Sequence, residues 1–193
     1  MKYIKIDENG IHIVFGITDR NQIKLLHFSK AEFCEEDICK FGPECKAEDL
    51  ARRDQLIDEA FQLVQVNLAG YDRPYEKHGN KHICTVPGYL LTYAGMEDCV
   101  NEHGRKITVY QEDKEITHVR LETEMQFYKG TSVVRMTNRI INEGQNTQCL
   151  EYLSSFCYTG IEKEGKSNSD AKMRVRIPYN GWQKEMSIKE FTF

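Results

Sequence analysis

The amino-acid sequence predicts an all-β fold, a large antiparallel β-sandwich. Most apolar segments alternate apolar and polar residues, the period of two that turns one face of a strand to a core and the other to water. Short polar turns containing Gly and Asn separate these segments. Roughly ten predicted strands joined by such turns are typical of a sandwich. The 193 residues, 40% of them hydrophobic, are enough to bury the core of one domain.

The N-terminal part contains a predicted hairpin and a further strand. GIHIVFGIT and IKLLHF flank the polar residues DRNQ, as expected for two antiparallel strands and their turn. FQLVQVNLAG, residues 61–70, is predicted to form a strand. Between them, KAEDLARRDQLIDEAF contains good helix formers, and Leu50 and Ile57 can share one helical face. We therefore expect at most a short helix near residues 46–60.

The clearest strand is VRLETEMQF, residues 119–127, where one set of alternate side chains is charged or amide-bearing. The turn YKG and the segment TSVVRMTNRIIN follow, which predicts an antiparallel hairpin. On its second strand one face contains Val134, Met136, Asn138 and Ile140. Further strands are predicted in RKITVYQED, CLEYLSSFCYTGI, KMRVRIP and MSIKEFTF.

Residues 1–193 are interpreted as one β-sandwich domain, because neither a proline-rich linker nor an internal repeat divides the chain. The sequence closes on the apparent strand MSIKEFTF without a polar tail. This ending favours a domain cut from a longer protein.

Charge and cysteine usage exclude several classes of protein. The formal net charge of -4 and pI of about 5.9 provide no basic surface for nucleic acid or an anionic membrane. No apolar run approaches the ~18 residues that span a bilayer, and MKYIKIDENG lacks the apolar core of a signal peptide. Seven cysteines without a Cys-x-x-Cys pair predict reduced thiols in the cytoplasm and no structural zinc. Cys149 and Cys157 are expected to be small core residues.

The segment AGYDRPYEKHGNKH, residues 69–82, is the main candidate for a functional site. A metal site is disfavoured because His78 and His82 would share a face only on a helix, and Pro74 and Gly79 oppose a helix. The Glu of a His-Glu-x-x-His zinc motif is also missing. An acid/base pair stays possible on composition alone, since 30 acidic residues always include candidate pairs. A solvated loop between strands is the plainest interpretation.

The composition of this segment favours sugar contact over a merely solvated loop. Tyr71 and Tyr75 flank Asp72 and Arg73. Aromatic faces stack on the C–H faces of sugar rings, while carboxylate and guanidinium groups hydrogen-bond to hydroxyls. Trp182, the only tryptophan, is expected in the core or at an interface, because tryptophan is usually mostly buried.

Several segments together resemble one family. They are LVQVNLAGYDRPYEKHGNKH, GYLLTY, NEHGRKITVYQED, HVRLETEMQFYKGTSVVRMTNRIINEG, LEYLSSFCYTGIEKEG and KMRVRIPYNGWQKEMSIKEF. This set is similar to the N-terminal region of glycoside hydrolase family 36 α-galactosidases. LEYLSSF with the downstream NGW is the most specific part, and YKGTSVVRMTNRIIN is the next. The similarity is weakest over residues 30–60.

The resemblance implies a supersandwich similar to galactose mutarotase. In the family a (β/α)8 barrel follows and provides both catalytic aspartates of a retaining mechanism. No strand–helix alternation of a barrel occurs here, so this chain alone is expected to have no catalytic residues and no cofactor. The implied partners are the catalytic barrel of the same polypeptide and a galactoside, with a homo-oligomer for the full-length enzyme. Nucleic acid and membrane partners are not expected.

The resemblance also assigns a role to the candidate segment. In family members a loop of the N-terminal domain provides an aspartate near the galactose, often as Asp, an aromatic residue and then Arg. Here Asp72 is followed directly by Arg73, which departs from that spacing. Asp72 and Arg73 are the expected substrate-binding residues, and His78 and His82 are assigned to loop architecture or the barrel interface. The alternatives are a free-standing carbohydrate-binding module and, given the short chain, less strongly a mutarotase-like epimerase.

Overall fold

The computed structural model describes residues 1–35, 61–71, 85–158, 174–182 and 184–192. Within these ranges the chain is built almost entirely of antiparallel strands, which confirms the predicted all-β sandwich. No helix in these ranges is long and apolar enough to cross a membrane. The elements are β1 (Lys2–Glu8), β2 (Ile11–Ile17), β3 (Ile23–Ser29), β4 (Val66–Leu68), α1 (Val86–Leu90), β5 (Thr92–Val100), β6 (Arg105–Asp113), β7 (Val119–Phe127), β8 (Val134–Asn142), β9 (Leu150–Leu153), β10 (Arg174–Gly181) and β11 (Lys184–Thr192).

Two antiparallel sheets provide the facing layers of the sandwich. Strands β1, β2 and β3 form one sheet in that order, and β5, β6, β7 and β8 form the other. The short strand β4 pairs with β9, and an isolated bridge joins Lys24 of β3 to Gln62, just before β4. Strands β10 and β11 form a separate hairpin. All these pairings are antiparallel. The β2–β3 and β7–β8 pairs are the hairpins that the short turns predicted.

The core lies between the two main sheets. Ile13 and Phe15 of β2 face Ile107 of β6 and Leu121 of β7 within one cluster, and all four side chains are fully buried. Each such side chain contributes about 1.5–3 kcal/mol by leaving water. The predicted inner face of β8 is confirmed, because three apolar side chains of that strand pack on the same cluster, namely Val134, Met136 and Ile140.

The opposite face of the larger sheet is charged. Glu122 of β7 accepts from Arg139 of β8, whose Nε lies 2.9 Å away, and from Arg120, whose Nη2 lies 3.0 Å away. Arg120 also covers the ring of Tyr110 at 4.9 Å. Exposed pairs of this kind contribute only about 0.2–1 kcal/mol each. The alternation in VRLETEMQF therefore separates a core face from a solvated face, as predicted.

Side chains of turn residues connect the two sheets at both ends. At one end, the backbone carbonyl of Asn21 accepts from the Tyr93 backbone N–H at 2.6 Å, and the Asn21 side chain donates its Nδ2 to the Tyr93 carbonyl at 2.9 Å. At the other end, Asn9 donates its Nδ2 to the Tyr128 carbonyl at 2.9 Å, and its own carbonyl accepts from the Ser132 hydroxyl at 2.7 Å. The first contacts hold the β2–β3 turn beside the beginning of β5, and the second hold the β1–β2 turn beside the β7–β8 turn.

Two predicted strands are shorter than the sequence suggested. The 61–70 segment contributes only Val66–Leu68, and the segment 149–161 contributes Leu150–Leu153 within its described part. A register shift lies between Asn67 and Leu68. On the other side of the pair, the Ser154 hydroxyl accepts from the Gln65 backbone N–H at 2.9 Å in place of a carbonyl. Regular pairing is therefore limited to a few residues, with a bulge inside the pair and a side-chain acceptor beside it.

Strands β1 and β5 were not predicted from the sequence. β1 ends in Asp7 and Glu8, and β5 contains Glu97 and Asp98, so neither has a clean apolar alternation. Both strands lie at an edge of their sheet, where charged side chains are tolerated. The helix expected near residues 46–60 lies outside the described residues. The helix in the described part is α1, which was not predicted.

The β10–β11 hairpin exposes apolar side chains on both faces. Ile177 and Tyr179 lie on one face, and Ile188 lies on the other opposite Pro178. Trp182, in the turn, is 92% exposed, so the core position was wrong, and the alternative of an interface position stays a prediction. The reason is that its hairpin has no second layer among the described residues. A two-stranded hairpin of this kind is marginally stable in water by itself.

Candidate functional site

Of the predicted site segment, residues 69–82, the structure describes residues 69–71, and the described chain resumes at Thr85. Asp72 and Arg73, the expected substrate-binding residues, lie outside the described residues, as do His78 and His82. The assignment of these four side chains therefore stays a prediction. The structure does describe both anchors of the segment and the surface from which it leaves.

The first anchor is Tyr71, which follows the fully buried strand β4. Its backbone N–H donates to the Leu68 carbonyl at 3.3 Å, and its ring packs partly buried against the core. Its hydroxyl donates to the Ile116 carbonyl at 3.4 Å, in the β6–β7 turn. Tyr71 is therefore fixed by its ring and is less available for sugar stacking than predicted.

The second anchor is Thr85, which caps α1. Its hydroxyl donates to the Val66 carbonyl and accepts from the Gly88 backbone N–H at 3.3 Å. Pro87 lies in the first turn of the helix, where a backbone N–H would have no partner within the helix, so proline costs no hydrogen bond there. Since Leu68 holds one anchor and Val66 holds the other, both ends of the segment are attached to β4.

Two buried glutamines lie against α1. Gln22 donates its Nε2 to the Tyr89 carbonyl. Gln62 packs on Gly88 so closely that a Cβ there would lie 2.6 Å from Gln62 Oε1. The Oε1 of Gln22 and both amide atoms of Gln62 have no hydrogen-bond partner among the described residues. Lys24, opposite Gln62 in the sheet bridge, is only 1% exposed.

The sequence analysis did not identify these glutamines. The available signal was FQLVQVNL, in which the polar residues Gln62, Gln65 and Asn67 interrupt an apolar run. Polar residues of a predicted strand are expected on a face in water, yet all three side chains are at most 4% exposed. The polar residues of this segment are therefore held inside the fold and do not mark an exposed face. Asn67, for example, donates to Glu151 Oε2 at 2.7 Å.

The nearby aromatic residues are engaged in packing. Tyr93 packs against the core, and burial raises the pKa of its hydroxyl. Tyr89, half-buried on α1, lies under the Arg20 guanidinium at 5.7 Å. A free aromatic face occurs instead on Trp182 of the hairpin.

The described part of the chain contains no candidate metal site, and the cysteines described there are free thiols. No group of three or more His, Cys, Asp or Glu side chains there could hold a metal ion. Cys34, Cys99 and Cys149 are exposed free thiols, so the expected core position of Cys149 was wrong, because it precedes the exposed start of β9. Cys157 is half-buried, and burial raises the pKa of its thiol.

Comparison with protein-family models gives no match, and comparison with curated proteins gives none either. The fold and the two anchors therefore provide the physical basis for a functional proposal, together with the sequence resemblance described above.

Proposed function

We propose that this chain is the non-catalytic N-terminal β-sandwich domain of an α-galactosidase-like retaining glycoside hydrolase acting on terminal α-galactosides. The observation that supports it most is the attachment of Tyr71 and Thr85 to one buried strand. Binding residues on a segment held by a rigid scaffold keep a defined position relative to a ligand. A segment rich in carboxylate, guanidinium and tyrosine side chains at this place suits the rim of a sugar pocket.

Asp72 and Arg73 are the proposed sugar contacts. They are the first two residues after Tyr71, whose backbone and ring are held by Leu68 and by the core. A carboxylate accepts hydrogen bonds from vicinal hydroxyls and a guanidinium donates to them, which provides direction and selectivity. In this proposal the two residues position the galactose, and the carboxylates that break the glycosidic bond belong to the barrel.

The proposed partner is the catalytic barrel of the same polypeptide, and the β10–β11 hairpin is the proposed contact surface. Ile177, Tyr179 and Ile188 are each at least 46% exposed there. Apolar side chains exposed on both faces of a hairpin are typical of an element that another domain covers. Covering this hairpin would also provide the second layer that a two-stranded sheet requires. The full-length enzyme is proposed to be a homo-oligomer.

A free-standing carbohydrate-binding module is the second candidate, favoured by Trp182. Its side chain is 92% exposed in a turn, where the indole face is open to a sugar ring. The module predicts that this chain by itself binds galactosides and that Trp182→Ala abolishes the binding. The enzyme-domain proposal predicts no strong binding without the barrel.

The deciding experiment uses both the chain alone and the chain with its downstream catalytic region. Alone, the chain should fold and leave nitrophenyl α-galactoside intact, and turnover by a clean preparation would overturn the proposal. In the full polypeptide, Asp72→Ala should lower kcat/KM by about 10- to 100-fold, the effect of losing a charged hydrogen bond.

The matched control is Glu102→Ala, which removes an 85% exposed carboxylate from the β5–β6 turn and should leave kcat/KM unchanged. If kcat/KM is the same for wild type and Asp72→Ala, Asp72 does not contact the sugar and the segment is a solvated loop. Calorimetric titration of the chain alone with methyl α-galactoside then separates the module from the enzyme domain.

A further inference from the structure

A carboxylate, an imidazole and a hydroxyl lie side by side on the N-terminal sheet. Asp7 of β1 is paired with His12 of β2, and His12 is paired with Ser29 of β3. Directly opposed residues of antiparallel strands point to the same face, with their Cβ atoms about 4.5–5.5 Å apart. The three side chains therefore form one row across the sheet, and we call it the Asp–His–Ser row.

The Asp–His–Ser row faces away from the core. At the next register position Ile6, Ile13 and Phe28 are paired in the same way, and these three side chains belong to the core cluster or pack on it. Successive side chains of a strand point to opposite faces, so the row lies on the outer face. The side chain of Asp7 is 69% exposed and that of His12 is 30% exposed. A small molecule can therefore reach the row from solvent.

The contact between Asp7 and His12 determines where the imidazole carries its hydrogen. Asp7 Oδ1 lies in hydrogen-bond contact with His12 Nδ1. An ionised carboxylate only accepts hydrogen bonds, so Nδ1 carries the hydrogen of the neutral ring. Nε2 then has a free lone pair, and it has no hydrogen-bond partner among the described residues. His12 thus presents a base, and Asp7 is its positioning residue.

Ser29 presents a hydroxyl whose hydrogen is free to be donated. Its Oγ accepts from the Ala31 backbone N–H at 3.1 Å, a bond that uses the oxygen and leaves the O–H group unused. Within the described ranges Ser29 makes no other side-chain hydrogen bond. The register places His12 directly opposite this hydroxyl. The contact between a nucleophile and its base is often longer before a substrate binds and shortens in the reacting complex.

We propose that Ser29 is an acyl-acceptor site for activated esters, with His12 as its general base and Asp7 orienting the imidazole. Ser29 Oγ attacks the carbonyl carbon of the ester, and its proton passes to His12 Nε2. The bond between that carbon and the leaving oxygen breaks, the leaving alkoxide or phenolate takes the proton, and Ser29 becomes an O-acyl serine. The ester is the only co-reactant. This chemistry does not involve a glycosidic bond, so it does not rest on the proposed function.

Acetylation by nitrophenyl acetate tests the site in the unmodified chain, with peptide mass spectrometry resolving each serine. Ser132 is the internal reference, because it is exposed but its hydroxyl donates to the Asn9 carbonyl at 2.7 Å. Ser29 should be acetylated at least about 10-fold faster than Ser132, since a positioned general base contributes about 100- to 10,000-fold. Equal rates at the two serines overturn the proposal, and this comparison does not depend on how any variant folds.

His12→Gln separates base catalysis from simple exposure of Ser29. The variant should acetylate Ser29 at least about 10-fold more slowly. In His12→Ala, free imidazole should restore part of the rate, which a merely structural role of His12 would not allow. The matched control is His103→Gln, which removes another exposed imidazole beside a carboxylate, 3.5 Å from Glu102 Oε1. This control should leave the rate at Ser29 unchanged. An undiminished rate in His12→Gln would show that Ser29 reacts without a base.

Asp7→Asn tests the positioning residue. Asparagine can donate as well as accept, so it no longer fixes the hydrogen of His12 on Nδ1. Acetylation of Ser29 should slow, though less than in His12→Gln, and an unchanged rate would overturn the role given to Asp7. The same preparations should all leave nitrophenyl α-galactoside intact. Cleavage of that galactoside counts against the proposed function alone, whereas the acetylation rates decide on Ser29.

Discussion

Thr117 donates its backbone N–H and its hydroxyl to the same oxygen of the Asp113 carboxylate, and each donor–acceptor distance is 2.7 Å. The other carboxylate oxygen accepts from the backbone N–H groups of Glu115 at 3.1 Å and Ile116 at 3.3 Å. One buried carboxylate thereby closes the β6–β7 turn. Because the Tyr71 hydroxyl donates to the carbonyl of Ile116, this turn also supports the first anchor of the proposed sugar-binding segment.

Asp113→Ala should destabilise the domain by about 2–3 kcal/mol, because it removes hydrogen bonds to a charged group and leaves buried donors unpaired. Chemical unfolding at neutral pH measures this loss. Asp19→Ala is the control, since the Asp19 side chain is fully exposed. Equal unfolding midpoints for the two variants would contradict the role given to Asp113.

The same carboxylate predicts a pH dependence. Burial by itself raises the pKa of Asp113, but hydrogen bonds from Thr117, Glu115 and Ile116 outweigh it and hold the pKa below its usual value. A lowered pKa in the folded state means that the stabilisation is complete above the unfolded value of about 3.9 and is lost as the pH falls through the folded value. The difference in unfolding free energy between wild type and Asp113→Asn should therefore shrink below about pH 4. A constant difference at all pH values would contradict it.

Gly88→Ala should destabilise the domain by about 1–3 kcal/mol through overpacking. The new Cβ would lie 2.6 Å from Gln62 Oε1 and 2.9 Å from Thr85 Oγ. In a Gln62→Ala background the first contact is absent, so the same substitution should cost less. A double-mutant cycle by urea unfolding should give a coupling free energy above about 0.5 kcal/mol. Additive effects would mean that Gln62 does not pack on α1.

Gly104→Ala should destabilise more than Gly130→Ala. Both glycines have positive φ, +145° and +71°, so both variants strain the backbone. At Gly104 a Cβ would also lie 2.5 Å from the Phe127 carbonyl oxygen, whereas at Gly130 nothing lies within 4 Å. We expect a difference of about 1–3 kcal/mol between the two variants in thermal unfolding. Equal losses would show that the β5–β6 turn shifts away from β7 at little cost.

The β10–β11 hairpin should exchange its amide hydrogens faster than the β6–β7 pair when the chain is studied alone. Ile177, Ile188 and Trp182 are exposed, so little burial opposes local opening. In the full polypeptide of the proposed enzyme, packing on the barrel should slow this exchange. Hydrogen exchange with mass spectrometry measures both states. Full protection of the hairpin in the isolated chain would contradict its role as an uncovered surface.

The sequence predicted the strands that have one face in the core and the other in water. β6 and β7 match RKITVYQED and VRLETEMQF residue for residue. Their side chains alternate between one core and one solvated face, and this alternation depends only on neighbours along the chain. β1 and β5 were missed, because an edge strand tolerates charges such as Asp98, which pairs with Arg105 at 2.7 Å. Such charges obscure the alternation of apolar and polar residues by which a strand is recognised in the sequence.

By itself the sequence determined the all-β class, the β2–β3 and β7–β8 hairpins and the inner face of β8. Only the tertiary structure decided that Trp182 is exposed, that Tyr71 is an anchor, and that Gln22 and Gln62 both lie against α1. The physical reason is sequence separation. Gln22 and the Tyr89 carbonyl that it binds are 67 residues apart, so whether a buried amide is satisfied depends on which distant elements the fold brings beside it.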